Sequence, residues 1–243
     1  NGAQVIISRH SFPMMPADFV DWVDLTLERG ADVVKTVGMA KRIQDTLPVF
    51  ASFSRSPKPT ISIAMGEAGL LSRILALRYD NCLLTFATLG RGGRTAPGQL
   101  PVTVLHAVYH APRIGSHTAI FGLLSVTRPS DARLAALNAA TRAAGFDGVW
   151  VPFVATGQNN DSPIEVVQAF RRLGVVGYLI DESVQGDLSA AIDEVESRGP
   201  AQKINVLYQQ EERLVGVWTN HPDEAVALLM DRSTRSLGKR HLP

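Results

Sequence analysis

The sequence predicts an α/β protein of two consecutive units, and three observations support this fold class. Short apolar or β-branched segments alternate with amphipathic helical stretches along most of the chain, which is the pattern of parallel βα units. A proline and a glycine in Ala111–Ser116 interrupt the pattern, which then starts again. The 243 residues are 45% hydrophobic and 19% charged, so they contain enough apolar side chains for two modest cores.

The first unit is predicted over residues 1–113. Its four strands are predicted at Val5–Ser8, Val33–Val37, Thr60–Met65 and Leu83–Phe86. Its four helical stretches are predicted at Ala17–Glu28, Ala40–Phe53, Gly69–Leu77 and Leu100–Tyr109. Because each strand is joined to the next through a helix, we expect a parallel sheet whose carboxyl strand ends share one face.

The second unit is predicted over residues 117–231. Its strands are predicted at Thr118–Leu123, Val149–Phe153, Val176–Ile180, Ile204–Tyr208 and Leu214–Trp218. Its helices are predicted at Ser130–Ala144, Pro163–Arg172 and Leu188–Ser197. The polar and basic residues 232–243 predict a frayed tail rather than a binding arm.

Composition excludes several classes of protein. A formal net charge of +1 does not favour nucleic acid as a partner, and no apolar run reaches the roughly 18 residues of a membrane span. The single cysteine, Cys82, excludes an internal disulfide and fits a reducing, intracellular compartment. No signal peptide is visible, and the chain starts at Asn1 with a strand close behind, so we expect a fragment or a processed product.

Two residues on predicted strands of the first unit are candidates for chemistry. Lys35 lies in an apolar strand, where desolvation favours the neutral, nucleophilic amine. The alternative is a lysine at a strand end that reaches solvent. His10 ends the preceding strand, so the two side chains are expected at equivalent strand ends, although a single histidine is usually structural.

Three further polar residues follow the later strands. Arg73 lies just after Met65-Gly66, and its guanidinium suits a carboxylate, although a surface arginine on a helix is the simpler interpretation. Thr95 and Gln99 lie in the loop after the predicted fourth strand and provide a hydroxyl and an amide. That loop is equally compatible with a plain turn.

These segments together resemble type I 3-dehydroquinate dehydratases. The resemblance covers roughly residues 4–111 and rests on motifs in the family's order and approximate spacing: Ser8-Arg9-His10, Asp32 to Lys41, Met65-Gly66, Leu71-Ser72-Arg73-Ile74 and Ala96-Pro97-Gly98-Gln99. It implies that Lys35 forms a Schiff base with a ketone and that His10 moves the proton. It also implies that Arg73 holds the carboxylate, that Thr95 and Gln99 hold the ring, and that Met65 lines the pocket.

The same resemblance predicts an incomplete barrel. The family's (β/α)8 barrel has eight βα units, and this chain resembles only its C-terminal half. The carboxylate and arginine of the early strands are then absent, and two sheet edges stay open. A partner piece, a second copy that makes a homo-oligomer, or the rest of a longer protein is expected to cover them.

The second unit resembles the substrate-binding domain of shikimate dehydrogenases, over roughly residues 117–230. The resemblance rests on Thr118–Gly122, Gly145–Phe153, Ile204–Val206 and Leu214–Asn220, and it follows the dehydratase-like unit as in the fungal arom protein. The family's catalytic residues do not carry over. No lysine occurs between Lys58 and Lys203, and Thr219-Asn220-His221 has histidine where the family has aspartate. No Gly-x-Gly-x-x-Gly follows a strand, so no cofactor and no metal are predicted.

Such a retained fold without its chemistry resembles the fungal repressors of quinate utilisation. The resemblance implies a metabolite-sensing pseudo-enzyme, in nucleus or cytoplasm, that binds a quinate- or shikimate-pathway metabolite and a transcription activator protein, with no direct contact to DNA or membrane. Two alternatives stay open. One is a 3-dehydroquinate dehydratase domain with a decayed dehydrogenase appendage, and the other is a pseudo-enzyme used as an assembly scaffold.

Overall fold

The computed structural model describes residues 2–90, 96–157, 161–184, 188–200 and 203–240, with only the backbone of 189 and 235–240. The chain divides into two compact units, Asn1–His117 and Thr118–Pro243. Within the described ranges, no helix has the length and apolar character needed to cross a membrane. The α/β class predicted from the sequence is confirmed in both units.

The first unit is built on a three-stranded parallel sheet in the order β1-β2-β3. The strands are β1 Ile6–Ser11, β2 Val33–Met39 and β3 Thr60–Met65. The helices are α1 Trp22–Leu27, α2 Leu47–Arg55, α3 Leu70–Leu75 and α4 Val102–Ala107. Helix α2 starts late in its predicted range because a 3-10 turn precedes it and Pro48 falls in its first turn, where a missing N–H costs little.

The two faces of this sheet carry different side chains. One face packs against the helices through a cluster of buried residues, namely Phe19, Trp22, Ala40, Val49, Phe53, Ala64 and Ala76. The other face carries a second, smaller cluster, namely Val33, Val37, Ile61, Ile63 and Met65. Because side chains alternate along a strand, Lys35 lies on this second face, between Val33 and Val37.

The predicted fourth strand, Leu83–Phe86, is wrong. Cys82 forms an isolated parallel β-bridge with Thr60, and the Leu83 N–H donates to the Thr60 carbonyl at 2.9 Å. Residues 84–86 do not continue this pairing as a strand. Instead, the backbone of Thr88 exchanges bonds of 2.8–2.9 Å with Val102 and Leu100, which draws the segment away from β3. Leu83, Leu84 and Phe86 are 38–47% exposed. No closed barrel occurs within the described residues.

The second unit is a six-stranded mixed sheet in the order β5-β4-β6-β8-β9-β7. The strands are β4 Ala119–Ser125, β5 Gly148–Val154, β6 Val175–Ile180, β7 Glu194–Val195, β8 Val206–Gln210 and β9 Arg213–Val217. The helices are α5 Asp131–Ala143, α6 Pro163–Phe170 and α7 Pro222–Arg240. Ser130 caps α5 and Ser162 forms a capping box with Glu165 at the start of α6, so both helices begin where their sequence predicts.

Two predictions for the end of this unit differ from the structure. The helix predicted over Leu188–Ser197 is wrong, because a 3-10 turn at Ser189–Ala191 leads into strand β7, which pairs with β9. Asp193 fixes this path, since both its backbone N–H and its carboxylate bind the backbone of Leu214, at 2.8 and 2.7 Å. The backbone of α7 continues as a helix through Arg240, beyond the start of the expected frayed tail.

Candidate ligand-binding site on the first unit

Strands β1 and β2 place His10 and Lys35 on the same sheet face. Ser8 is the register partner of Lys35, and His10 is the partner of Val37, so His10 lies two residues further along than Lys35. The expectation that both lie at equivalent strand ends is therefore corrected. Because β2 extends to Met39, Lys35 lies within the strand rather than at its end.

His10 is exposed and interacts with three neighbours. Its Nε2 lies 2.7 Å from Oγ of Ser8, and its ring lies edge-on to Phe12 at a centroid distance of 5.8 Å. Partial burial and then the positive charge of Lys35 lower the pKa of His10 below its ordinary value of 6.5.

Lys35 is half-buried rather than reaching freely into solvent. Its Nζ lies 5.3 Å from the ring centroid of Phe86, a distance at which an ammonium group interacts with an aromatic face. The register partner of Lys35 on the other side is Ile61. The amine therefore lies on a mainly apolar face with an aromatic ring beside it, which is a suitable setting for an amine nucleophile.

Met65 ends β3 on the same face and is 4% exposed. Met39 and Ala96 pack against the cluster that contains it. Ala96 begins the Ala96–Gln99 loop, which bonds to the end of β3 because the Gly66 N–H donates to the Pro97 carbonyl at 3.1 Å. This loop is therefore seated at the carboxyl end of the sheet, where the sequence placed it.

Arg73 is not a surface residue. It lies on α3, is 2% exposed, and donates from one terminal nitrogen to the Pro97 carbonyl at 3.2 Å. Its Nε has no hydrogen-bond partner, and the guanidinium makes no ion pair within the described part of the chain. Burial lowers the pKa of Arg73 to about 10, which leaves it cationic at neutral pH.

The remaining two predicted residues belong to the same loop. Gln99 is buried at 5% exposure, and its backbone N–H donates to Ala96 at 3.4 Å in a tight turn. Gly98 has φ +74°, and a Cβ there would lie 2.1 Å from the Gly66 carbonyl oxygen, so only glycine permits this approach. Thr95 lies outside the described residues.

Three side chains at this site were not singled out from the sequence. Ser8 contacts His10, Phe12 flanks the His10 ring, and Phe86 flanks Lys35. The alternation of β1 was a usable signal for Ser8, since residues two apart on a strand share a face. Phe86 had no such signal, because it lies in the segment that the sequence wrongly assigned to a strand.

At the corresponding strand ends of the second unit, side chains bond to one another. At the carboxyl ends of β4 and β6, Arg133 forms an ion pair with Asp181. Asp181 also accepts from the Ser183 N–H at 2.8 Å, and Ser183 Oγ accepts from the Val126 N–H at 3.3 Å. In open α/β sheets, ligands usually bind at such a strand-order reversal, so these internal bonds occupy the expected crevice.

The Thr219-Asn220-His221 segment is likewise held internally. Asn205 donates to the Thr219 carbonyl at 2.8 Å and accepts from the Thr219 N–H at 2.9 Å. Asn220 accepts from the Trp218 indole at 3.3 Å. No group of three His, Cys, Asp or Glu side chains that would suit a metal ion is found in the part of the chain that is described.

Comparison with known proteins supports the division into two different units. Residues 1–116 match the family model for type I 3-dehydroquinase. The chain is 31% identical over 177 residues to a bifunctional 3-dehydroquinate dehydratase/shikimate dehydrogenase of Arabidopsis thaliana. That alignment is longer than the first unit and therefore reaches into the second. The protein thus joins a type I dehydroquinase-like unit to a shikimate-dehydrogenase-like unit.

Two further relatives illustrate the similarity. A 3-dehydroquinate dehydratase of Methanococcus vannielii is 36% identical over 107 residues, which are 43% of this chain and 48% of that one. The dehydroquinate dehydratase and shikimate dehydrogenase structure from S. pombe AroM is 23% identical, with 88% of this chain and 41% of that chain covered and a TM-score of 0.37. The Arabidopsis alignment covers 72% of this chain and 28% of its relative. This chain therefore spans less than half the length of each of these three relatives.

Proposed function

We propose that the first unit binds a cyclic hydroxy-keto acid of the 3-dehydroquinate type. The observation that carries this proposal is the buried guanidinium of Arg73, which has a backbone carbonyl but no carboxylate beside it in the described residues. A buried cation without an anionic partner is costly, and a ligand carboxylate would remove that cost. The names of the relatives point to the same ligand class.

Lys35 and His10 supply the chemistry for the ketone of such a ligand. The Lys35 ammonium first gives a proton to His10, and Nζ then attacks the carbonyl carbon while the π electrons move to oxygen. A proton passes from the nitrogen to that oxygen to give a carbinolamine. The carbinolamine hydroxyl takes back the proton held by His10 and leaves as water, and the nitrogen lone pair closes an iminium with Nζ as its nitrogen. His10, whose pKa is lowered by burial and by Lys35, is neutral at pH 7 and suited to accept a proton.

We further propose that the chain uses this binding as a signal, as a repressor of quinate catabolism that binds a transcription activator protein. The second unit supports a role without turnover, because Arg133 and Asp181 pair across its crevice and no lysine occurs between Lys58 and Lys203. The net charge of +1 favours action through a protein rather than DNA. The place of action would be the nucleus or the cytoplasm.

A second candidate is 3-dehydroquinate dehydratase activity itself. The position of Lys35 and His10 on one sheet face favours it, because a Schiff-base dehydration needs a nucleophilic amine and a proton carrier on one face. The two candidates share the binding site and differ in turnover. A dehydratase releases a conjugated enone acid, whereas a sensor holds the ligand.

The first experiment is reductive trapping on the full chain with 3-dehydroquinate and borohydride, followed by peptide mass spectrometry. We expect an adduct on Lys35 that is absent in Lys35→Ala and retained in Lys41→Ala, since Lys41 is an exposed lysine of the same unit. An unmodified Lys35 at saturating ligand, together with no ligand-dependent shift in melting temperature, would contradict the binding proposal.

The second experiment separates the two roles. Absorbance of the enone product is followed with 3-dehydroquinate, and binding of the activator protein is measured with and without the ligand. Turnover that disappears in Lys35→Ala would make the protein a dehydratase and overturn the repressor role. Adduct formation without turnover, with activator binding that depends on the ligand, is the result expected of a sensor.

A further inference from the structure

Ser8 is the closest polar neighbour that the structure gives to His10. Their side chains, two residues apart on β1, point to the same face, and Oγ of Ser8 lies 2.7 Å from Nε2 of His10. This distance is that of a well-formed hydrogen bond. Ser8 is also the register partner of Lys35, so the hydroxyl lies on the same face between the two candidate chemical groups.

This contact assigns different tasks to the two imidazole nitrogens. Nε2 is occupied by the hydroxyl, which leaves Nδ1 as the nitrogen that exchanges a proton with a ligand. A serine hydroxyl both donates and accepts. When it donates to Nε2, the proton of neutral His10 is on Nδ1. When it accepts from Nε2–H, Nδ1 is unprotonated and is a base.

We propose that Ser8 is a positioning residue for His10, which orients the ring by accepting from Nε2–H while Nδ1 acts as the working nitrogen. This inference rests on the proposed function, since it assigns the proton-transfer atom of the same site. A base that takes a proton on Nδ1 becomes imidazolium and returns that proton from Nδ1, so its Nε2–H stays in place throughout. A hydroxyl that accepts from Nε2–H holds this tautomer without adding a charge.

The charges around His10 favour a hydroxyl over an acidic partner. The charged group that faces His10 in the described structure is Lys35 on β2, and together with partial burial it lowers the pKa of His10. A carboxylate at position 8 would raise that pKa and favour imidazolium. A neutral hydroxyl at position 8 therefore orients the ring without raising the pKa of His10.

The direct test is NMR of the full chain labelled with 15N-histidine, without any ligand. We expect Ser8→Ala to shift the Nε2 and Nδ1 resonances of His10, because the ring relaxes toward the tautomer ratio of free imidazole. Ser8→Thr keeps the hydroxyl and should restore the wild-type shifts. Ser8→Asp should raise the pKa of His10. Ser54→Ala, an exposed serine on α2, is the matched control.

The second test uses reactions with 3-dehydroquinate. For Ser8→Ala we expect a loss of about tenfold in kcat or in the rate of borohydride trapping at Lys35, with KM or Kd unchanged. Ser8→Thr should recover the rate. An equal loss in both variants, or a loss confined to KM, would mean that Ser8 contacts the ligand or only supports the strand, and would overturn the positioning role.

The two tests distinguish failure of this inference from failure of the proposed function. If His10 responds to Ser8→Ala but Lys35 is never trapped, the positioning contact stands and the ligand assignment falls. If Lys35 is trapped but the His10 resonances and pKa are identical in wild type, Ser8→Ala and Ser8→Asp, the positioning role is overturned.

Discussion

Arg73 in the first unit and Asn138 in the second are each 2% exposed, yet their side chains differ in how many hydrogen bonds they make. Asn138 accepts from the Trp150 N–H at 2.8 Å and donates to the Trp150 and Leu134 carbonyls at 3.1 and 3.0 Å. Arg73 has one bond to Pro97, and its Nε has no partner. The buried side chain of Asn138 is thus fully bonded within its unit, whereas the Nε of Arg73 keeps an unused donor.

The two units also differ in their exposed apolar side chains. Within the described residues, every exposed large apolar side chain belongs to the first unit, namely Val5, Ile6, Phe12, Met14, Leu25, Leu83, Leu84, Phe86 and Leu89. Several lie on the edge strand β1 or in the segment that leaves β3. The candidate site and the exposed apolar side chains therefore occur in the same unit.

The largest effect is expected from Asn138→Ala. It removes the partner of both backbone groups of Trp150 at the edge strand β5, so we expect a loss of about 3 kcal/mol in the free energy of unfolding. Urea denaturation monitored by tryptophan fluorescence measures it, with the exposed Asn220→Ala as control. A loss below about 1 kcal/mol would mean that water replaces Asn138 and that the internal satisfaction of this unit is unimportant.

A smaller loss is expected from Gly98→Ala. Its φ of +74° and the 2.1 Å approach of a Cβ to the Gly66 carbonyl would force the Ala96–Gln99 loop to move. We expect about 2 kcal/mol of destabilisation and loss of the 3-dehydroquinate-dependent rise in melting temperature. Gly30→Ala is the matched control, since Gly30 has φ +82° and open space around it. Equal effects of the two variants would show that backbone conformation alone, and not the close approach, matters.

Arg73→Met should act in the opposite direction on stability. Replacing an unpaired buried cation by an apolar side chain of similar length should raise the free energy of unfolding by about 1 kcal/mol while abolishing ligand binding. Titration calorimetry with the ligand and chemical denaturation of the same variant measure the loss of binding and the gain in stability. The exposed Arg113→Met is the control. A destabilised variant would mean that the Arg73–Pro97 bond outweighs the cost of burial and that Arg73 is structural.

The smallest effect concerns Asp181 in the second unit. Burial alone would raise its pKa, but the bonds from Ser183 and Arg133 outweigh burial, and the pKa is lowered from 3.8. The carboxylate therefore contributes stability above its unfolded pKa near 4, and this contribution is lost as the pH falls through the lower folded value. Because Arg133 is 45% exposed, we expect less than about 1 kcal/mol.

Asp181→Asn tests this pH dependence. The difference in unfolding free energy between wild type and variant should be constant from pH 6 to 8 and should shrink below about pH 4. Asp147→Asn, an exposed aspartate of the same unit, should show no such change. A difference that grows on acidification would contradict the lowered pKa of Asp181 and the ion pair with Arg133.

Local sequence patterns predicted most elements because their signals are short-range. The helices predicted to begin at Ser130 and Pro163 lie close to α5 and α6, and the strands predicted at Val33–Val37 and Thr60–Met65 lie close to β2 and β3. The predictions for Leu83–Phe86 and Leu188–Ser197 were wrong for one reason. Thr88, just after the first segment, bonds to Leu100 and Val102, and Asp193 in the second segment bonds to Leu214. These are distant partners that no local pattern reveals.

For the candidate site, the sequence likewise predicted some features and missed others. Motif order identified Lys35, His10, Met65, Arg73, Thr95 and Gln99 as a group. The missing lysine of the second unit is also visible in the sequence alone. These conclusions depend only on the identity and order of residues, whereas the β1–β2 register, which places His10 two residues beyond Lys35, was not predicted.

The tertiary structure decided how each group is surrounded. Arg73 is buried because every residue of α3 is enclosed and Pro97, 24 positions away, closes over its guanidinium. Phe86 reaches Lys35 because its segment leaves the sheet, and Arg133 meets Asp181 because β4 and β6 are neighbours in the sheet. Burial, partner and pKa are properties of contacts between distant residues, and only the folded chain brings those residues together.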